Sequence, residues 1–353
     1  MFEMLDGRLR EYLTGFAEVV IAIVAGMVIG GLVMVIGGYN PVDAYYQLFV
    51  PSLTTKYGVE MTLSFATPII LTALTFAVGV RAGLFNIGAE GQMYMGALGA
   101  VIFGAITLPS ILYLPLEFIA AAVLGMIWGV IAGILKAYRG VNEVVSTIML
   151  NWIAYWIVES MRVYVIPNPV DASKTVSVPP AGRLPLLVEG TELSAALIIS
   201  ILVLAFTYFL LWKMAVGYEI RAVGYNPLAS RYAGINVRRV ALYSFIIGGF
   251  TAGIAGFCEV AGRPPSYAIT TGLSNLMGLG FDGLTVSLIG YNHPIGILLA
   301  SIFIGAMKAG SRNMQIYARV PLEMVQTVQG LIIIALSIPG LLRIISRRIG
   351  GVR

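Results

Sequence analysis

The chain has 353 residues, of which 58% are hydrophobic and only 11% charged, against about 25% charged in an ordinary soluble domain. A protein of this size in water could not cover so much apolar surface, so its solvent is largely lipid, with room for about ten spans of roughly 20 residues. One cysteine and one histidine exclude a disulfide framework, a zinc site and a haem pair; no lysine follows a glycine as a phosphate-binding P-loop requires; and the net charge of +5 is scattered between apolar runs rather than gathered into a nucleic-acid-binding face.

In chain order, residues 16–38 are too long for a signal-peptide core and lack a clear small-residue cleavage site, which predicts an uncleaved first span. Residues 40–60, with Pro41, Tyr45, Tyr46, Phe49 and Pro51, read as an interfacial loop with aromatic anchors. Further spans are predicted at about 61–80, 91–109, 116–135, 144–163, 194–213 and 240–261, then a glycine-broken segment at 276–291, then 294–310 and 322–342. The fold class is an all-α polytopic membrane protein of about ten helices, a single transmembrane domain over 1–353. With the N-terminus inside, most of the 22 basic residues fall on inside segments, chiefly the 213–239 loop and the tail with Arg343, Arg347, Arg348 and Arg353. Both termini are therefore expected in the cytoplasm. Glycines at four-residue spacing (Gly26/Gly30, Gly125/Gly129/Gly133, Gly249/Gly253) predict close helix packing.

Three places break the apolar pattern. Residues 81–92 (RAGLFNIGAEGQ) carry Asn86, Glu90 and Gln92. Such a turn can fold back at membrane depth only where protein or a water-filled cavity satisfies its backbone, and it reads equally as a pathway lining or as a tight turn with Glu90 complementing the dipole of the third span. At 140–147, Asn142 is a good N-cap and Glu143 sits just inside it. Residues 278–293, rich in glycine and containing Asp282 and Asn292, form an interrupted segment bearing an ionisable group, a common mark of a transport pathway. Elsewhere, Glu159 and Glu259 are expected to reach the interface, Cys258 to act as a small buried hydrophobe, and Gln326 and Gln329 to bond between helices rather than to a substrate.

The loop 214–239 holds a very short helix: Asn226 caps it, Pro227 takes its first position and Gly234 ends it. Two turns are unstable alone in water, so Leu228, Ala229, Tyr232 and Ala233 form either a surface for a cleft on another protein or a face packed on the chain's own bundle. The segment 164–192, with five prolines, is expected to be ordered but irregular and to serve as a docking surface or a lid.

The motifs at 85–92 (FNIGAEGQ), 141–147 (VNEVVST), 224–235 (GYNPLASRYAGI), 280–283 (GFDG) and 329–335 (QGLIIIA) together resemble the permease subunits of ABC importers for simple sugars and nucleosides, a branched-chain amino-acid-like family. The chain is most similar to the longer of the two nucleoside permeases, over about residues 16–342. The resemblance implies a type II, vitamin-B12-permease-like importer in a prokaryotic cytoplasmic membrane, with no catalytic residue and no cofactor in this chain. ATP and magnesium would be bound by separate ATPase subunits, a second permease would complete a heterodimer, and an extracytoplasmic lipoprotein would deliver substrate. It assigns ATPase coupling to Gly224, Asn226, Pro227, Ala229, Tyr232, Ala233 and Gly234, with Ser230 standing where alanine is usual. Asn86, Glu90, Gln92, Asn142, Glu143 and Asp282 are the candidate pathway residues. An ion-coupled secondary transporter of a small polar solute is the alternative from the residues alone, and sugars or branched-chain amino acids are the alternative substrates.

Overall fold

The computed structural model describes residues 20–337, and every regular element among them is a helix. These are α1 (Val20–Ile36), α2 (Pro41–Thr54), α3 (Lys56–Arg81), α4 (Ala89–Val101), α5 (Ser110–Arg139), α6 (Glu143–Ser160), α7 (Ala196–Lys213), α8 (Ala215–Tyr225), α9 (Pro227–Tyr232), α10 (Val237–Gly262), α11 (Leu279–Ile289), α12 (Pro294–Tyr317) and α13 (Leu322–Ser337). Lipid offers a backbone N–H or C=O no water to bond, and a helix satisfies each group within its own segment.

Six of the described helices are long and apolar enough to cross a membrane: α3, α5, α6 with its π-helical extension to Val165, α7, α10 and α12. The chain is a multi-pass membrane protein; among the described residues six helices reach that length. Helix α11 is apolar and shorter; α1 and α13 are the described, apolar parts of the spans predicted at 16–38 and 322–342, whose residues 16–19 and 338–342 lie outside the described residues. The run at 91–109 yields only the 13 residues of α4, about 20 Å at 1.5 Å per residue, because the chain tightens into a 3₁₀ turn at Ile102–Ala105. In the run at 276–291, Gly278 is left-handed (φ +87°) and α11 starts only after it.

Residues 40–60 are helix rather than loop. Asn40 accepts a hydrogen bond from the Val42 amide at 3.0 Å and Pro41 occupies the first helical position, the same Asn-Pro start that marks residues 226–227. Tyr45, expected as an interfacial anchor, instead donates its hydroxyl to the Met27 carbonyl at 2.6 Å.

The described residues belong to two compact units, Met1–Gly58 with Met307–Arg353, and Val59–Ala306. In the first, a β-carbon on Gly26 would lie 2.7 Å from Ile332 Cα, so α1 and α13 meet backbone to backbone. Gln329 donates to the Met307 carbonyl at 2.8 Å, the expected bond between helices. The basic residues Arg8, Arg10, Arg343, Arg347, Arg348 and Arg353, on which the orientation argument partly rests, lie outside the described residues.

The second unit is built around α4, α5 and α10, joined through the glycine stripes. A β-carbon on Gly125 would lie 2.4 Å from the Gly249 carbonyl oxygen, one on Gly253 2.4 Å from that of Ala121, and one on Gly96 2.3 Å from that of Gly253. In lipid such close packing drives association. Gly253→Val is therefore expected to destabilise the bundle by about 3 kcal/mol or more, the upper range for overpacking. Gly330→Ala, where nothing lies within 4 Å, is expected to cost nothing. Thermal unfolding of both variants in detergent checks the pair; equal melting temperatures would refute the packing account.

Of the segment 164–192, Tyr164 and Val165 belong to the π-helical extension of α6, and the rest is irregular apart from a 3₁₀ turn at Pro180–Gly182. It is bonded along the end of α10 and the stretch after it: Leu184 N to Ala261 O at 2.9 Å, Val178 N to Tyr267 O at 2.7 Å and Thr175 N to Ile269 O at 2.9 Å. Glu259 does not reach an interface. It is 3% exposed and pairs with Arg263 at 2.8 Å, and Arg263 also pairs with Glu192 at 2.8 Å. Glu159 pairs with Arg162 at 2.7 Å. A charge inside an apolar bundle is neutralised by a partner when one is in reach.

Candidate functional site

Helix α3 ends at Arg81 and is closed by Gly83, whose φ of +73° is left-handed; Gly83 N bonds Val80 O at 3.0 Å and Leu84 N bonds Gly79 O at 2.9 Å, a glycine C-cap. The chain then turns inward. Asn86 accepts from Gly88 N at 3.0 Å and from the Gln92 amide at 3.3 Å. Asn151 of α6 grips the same turn, accepting from Gly91 N and donating to Ile87 O, both at 2.9 Å. Protein atoms thus satisfy this backbone at depth. Asn86, Glu90 and Gln92 are all buried. Asn86 Nδ2 and Gln92 Oε1, a donor and an acceptor, have no hydrogen-bond partner, an uncommon condition for buried amides.

Glu90, in the first turn of α4, bonds across to the second break. Its carboxylate accepts from Gly278 N at 2.5 Å and Gly280 N at 2.6 Å, besides the Tyr94 hydroxyl at 2.6 Å. The carboxylate therefore sits at the positive end of α11. At the opposite end, Arg81 donates to the carbonyls of Tyr291 at 3.0 Å and Asn292 at 3.1 Å, and a positive charge complements the negative end. The two breaks that looked loosely alike in sequence are one structure: the first supplies both charges that bracket α11. Helix α11 also lies tight on α3. Thr72 donates to the Leu279 carbonyl at 2.9 Å, and a β-carbon on Gly283 would lie 2.7 Å from Ala73 N. Asp282 stands half-buried in the first turn of α11.

Asn142 and Glu143 are placed differently. Asn142 caps α6, accepting from Val144 N at 2.9 Å. Glu143 pairs with Lys136 at 2.7 Å and accepts from Phe85 N at 3.5 Å, so it touches the edge of the first break without entering it.

The short helix α9 forms as the sequence implies. Asn226 accepts from Ala229 N at 3.0 Å, and Pro227 follows at the first position. At the other end Gly234 is left-handed (φ +85°); its N–H bonds Arg231 O at 3.1 Å and Ile235 N bonds Ser230 O at 3.0 Å, closing the end as a Schellman-type cap. Ser230 points inward and is buried, whereas Leu228, Ala229, Tyr232 and Ala233 are exposed, Tyr232 by 94%. Helix α8 anchors this piece: Ile220 and Val223 are buried in a cluster with Val78, Leu84, Leu211 and Val240. Gly224 at its end abuts the first break, because a β-carbon there would lie 2.1 Å from the Arg81 carbonyl oxygen and 3.1 Å from Gly83 N.

Two residues of this arrangement were not singled out from the sequence. Asn151 carries a visible signal, a lone amide inside an otherwise apolar helix. Arg81 counts in the sequence only as a positive charge at a helix end, and nothing local marks its partners 210 residues away.

The family model described as branched-chain amino acid transport system / permease component matches residues 58–337. The guanosine ABC transporter permease protein NupP of Bacillus subtilis is 38% identical over 89% of this chain and 90% of its own. The nucleoside ABC transporter permease protein NupB of Lactococcus lactis is 35% identical over 90% and 89%. The glucose ABC transporter permease protein TsgB13 of Haloferax volcanii is 31% identical over 90% and 86%. A chain in the structure of PsaBC from Streptococcus pneumoniae in complex with Fab shares the fold at a TM-score of 0.50 and 12% identity, covering 85% of this chain and 98% of that one. The buried breaks and the exposed capped helix thus sit in a chain that belongs to the branched-chain amino acid transport system / permease component family.

Proposed function

We propose that this chain is the membrane permease subunit of an ATP-driven ABC importer for nucleosides, forming the translocation pathway and coupling to a separate ATPase through residues 224–235. The observation that carries the reading is the similarity, over 89% and 90% of this chain, to permeases named for guanosine and nucleosides. The exposed α9 supports the coupling half: a two-turn helix capped at both ends has its terminal backbone groups satisfied and withstands a push without unravelling. ATP and magnesium belong to the partner ATPase. A second permease is part of the reading, because Bacillus subtilis and Lactococcus lactis each have another similar permease, NupQ and NupC. An extracytoplasmic binding lipoprotein delivers the substrate, and the proline-stiffened 164–192 segment lowers the ordering cost of its docking. Both termini are cytoplasmic, and the type II count of about ten crossings includes the short helices α4 and α11.

The pathway runs beside the 81–92 and 278–292 breaks. The unpartnered donor of Asn86 and acceptor of Gln92 suit a nucleobase edge or a sugar hydroxyl once the helices part. In the present conformation a cysteine at 282 is expected to react with a small water-soluble thiol reagent, and cysteines at 86 and 90 only after guanosine and ATP are added. Inertness at all three positions under every condition would make these segments purely structural. Uptake of labelled guanosine by the complex reconstituted with its ATPase and receptor tests the function as a whole. Glucose uptake without guanosine uptake would favour the sugar reading that TsgB13 suggests, and uptake driven by an ion gradient without ATP would overturn the importer class.

A further inference from the structure

We infer that Arg81 is the strut through which movement of the 224–235 segment reaches α11, a role that rests on the coupling reading above. One residue touches both sides of the connection. Its backbone carbonyl is in contact with Gly224, the end of α8, so closely that a β-carbon on Gly224 would lie 2.1 Å from it. Its guanidinium holds the carbonyls of Tyr291 and Asn292 and lies 5.4 Å from the centre of the Trp212 ring on α7. His293 rests edge-on against the same indole at 4.8 Å, so the turn after α11 and the end of α7 share one aromatic platform.

The turn that Arg81 grips has the character of a switchable element. Tyr291 and Asn292 are both left-handed, with φ of +53° and +52°. That conformation is uncommon for tyrosine, less so for asparagine, and persists where the surroundings hold it; here Asn292 bonds Ser287 through its backbone N–H and its side chain, and the guanidinium bonds the carbonyls of both residues. Among the described residues Arg81 has no ion pair, so release of these carbonyls strands no buried carboxylate. Helix α11 is short, follows the left-handed Gly278 and ends at Gly290, while its N-terminal amides stay on Glu90. Displacement of α8 therefore shifts Arg81, frees or tightens the 290–293 turn, and swings α11 about its Glu90 end.

Hydrogen exchange on the intact complex, with and without a non-hydrolysable ATP analogue, tests this. Exchange at 224–235 and at 287–293 is expected to change together in the unaltered protein. In Arg81→Gln the response at 224–235 is expected to persist and that at 287–293 to vanish, with guanosine moved per ATP hydrolysed falling roughly tenfold, inside the usual range for coupling between sites. Arg81→Lys, which keeps the charge but not the two-pronged donation, is expected to restore only part of it. Should Arg81→Gln fail to assemble, Gly224→Ala interrupts the same route, and the unaltered complex decides if neither variant assembles. In the unaltered complex a response at 224–235 with none at 287–293, or in Arg81→Gln an undiminished response at 287–293 or unchanged transport per ATP, overturns the strut and leaves the coupling reading standing. No response at either segment with the ATPase bound overturns both.

Discussion

Ala233→Arg is expected to abolish association with the ATPase while the permease inserts, folds and melts as before. Ala233 is exposed and closes α9, its N–H bonded to the Ala229 carbonyl at 3.0 Å, so a longer side chain meets nothing in its own subunit. That closing bond is made by the backbone, which arginine keeps, so the change behaves as an ordinary surface substitution, usually within about 0.5 kcal/mol. At a packed interface the same charge must be desolvated without a partner, which costs about 2–5 kcal/mol, roughly 30- to 5,000-fold in affinity. Gly234→Val is expected to act through a different route. Its φ of +85° is strained for a β-branched residue by about 1–3 kcal/mol, which loosens α9 itself. Co-purification of the ATPase with each variant, beside the melting temperature of the permease, separates the two routes. An Ala233→Arg permease that holds its ATPase and transports normally would remove 224–235 from the coupling role.

Glu90→Ala is expected to have the larger effect on the permease itself. It strips an acceptor from the Gly278 and Gly280 amides and from the Tyr94 hydroxyl, where Gly280 and Tyr94 are buried and Gly278 is half-buried. Each unsatisfied buried group costs about 1–3 kcal/mol, and the lost charge on the helix dipole adds up to about 2 kcal/mol. In membranes part of this is recovered because the disordered state also finds partners. A net loss of about 2–4 kcal/mol is reasonable on these magnitudes. Glu90→Gln keeps one acceptor but turns an NH₂ toward the helix end, so an intermediate loss is expected. The order of melting temperatures (native, then Gln, then Ala) in detergent is the check, together with faster thiol labelling of a cysteine at 282 in the alanine variant. If Glu90→Ala melts with the native protein, the carboxylate does not hold α11.

What the sequence by itself determined about this protein are the features encoded within a turn or two of chain. Composition set the solvent, apolar run length set the helical class, and Asn226-Pro227 with Gly234 set both ends of α9, because each cap is made by bonds spanning at most five residues. Asn142 at the start of α6 was legible for the same reason. The glycine stripes announced close packing, since spacing shows that a helix face is small, though not which helix it meets. Even a local signal can be outweighed: Asn40-Pro41 has the same form as Asn226-Pro227, yet the surrounding tyrosines and Pro51 read as an interfacial loop.

Only the tertiary structure decided what the polar residues of the breaks do. Glu90 reaches amides 188 and 190 residues on, and Arg81 reaches carbonyls 210 and 211 residues on. In the sequence Glu90 reads as a lining carboxylate or as a complement to the dipole of its own helix; in the fold it caps α11. Run length likewise overstated the helices α4 and α11, since hydropathy does not register the 3₁₀ turn after α4 or the left-handed Gly278 before α11. The physical reason is common to all of these. A charge buried in lipid must find its counterpart, and which helix end stands opposite is a property of how the helices are stacked, which no local pattern contains.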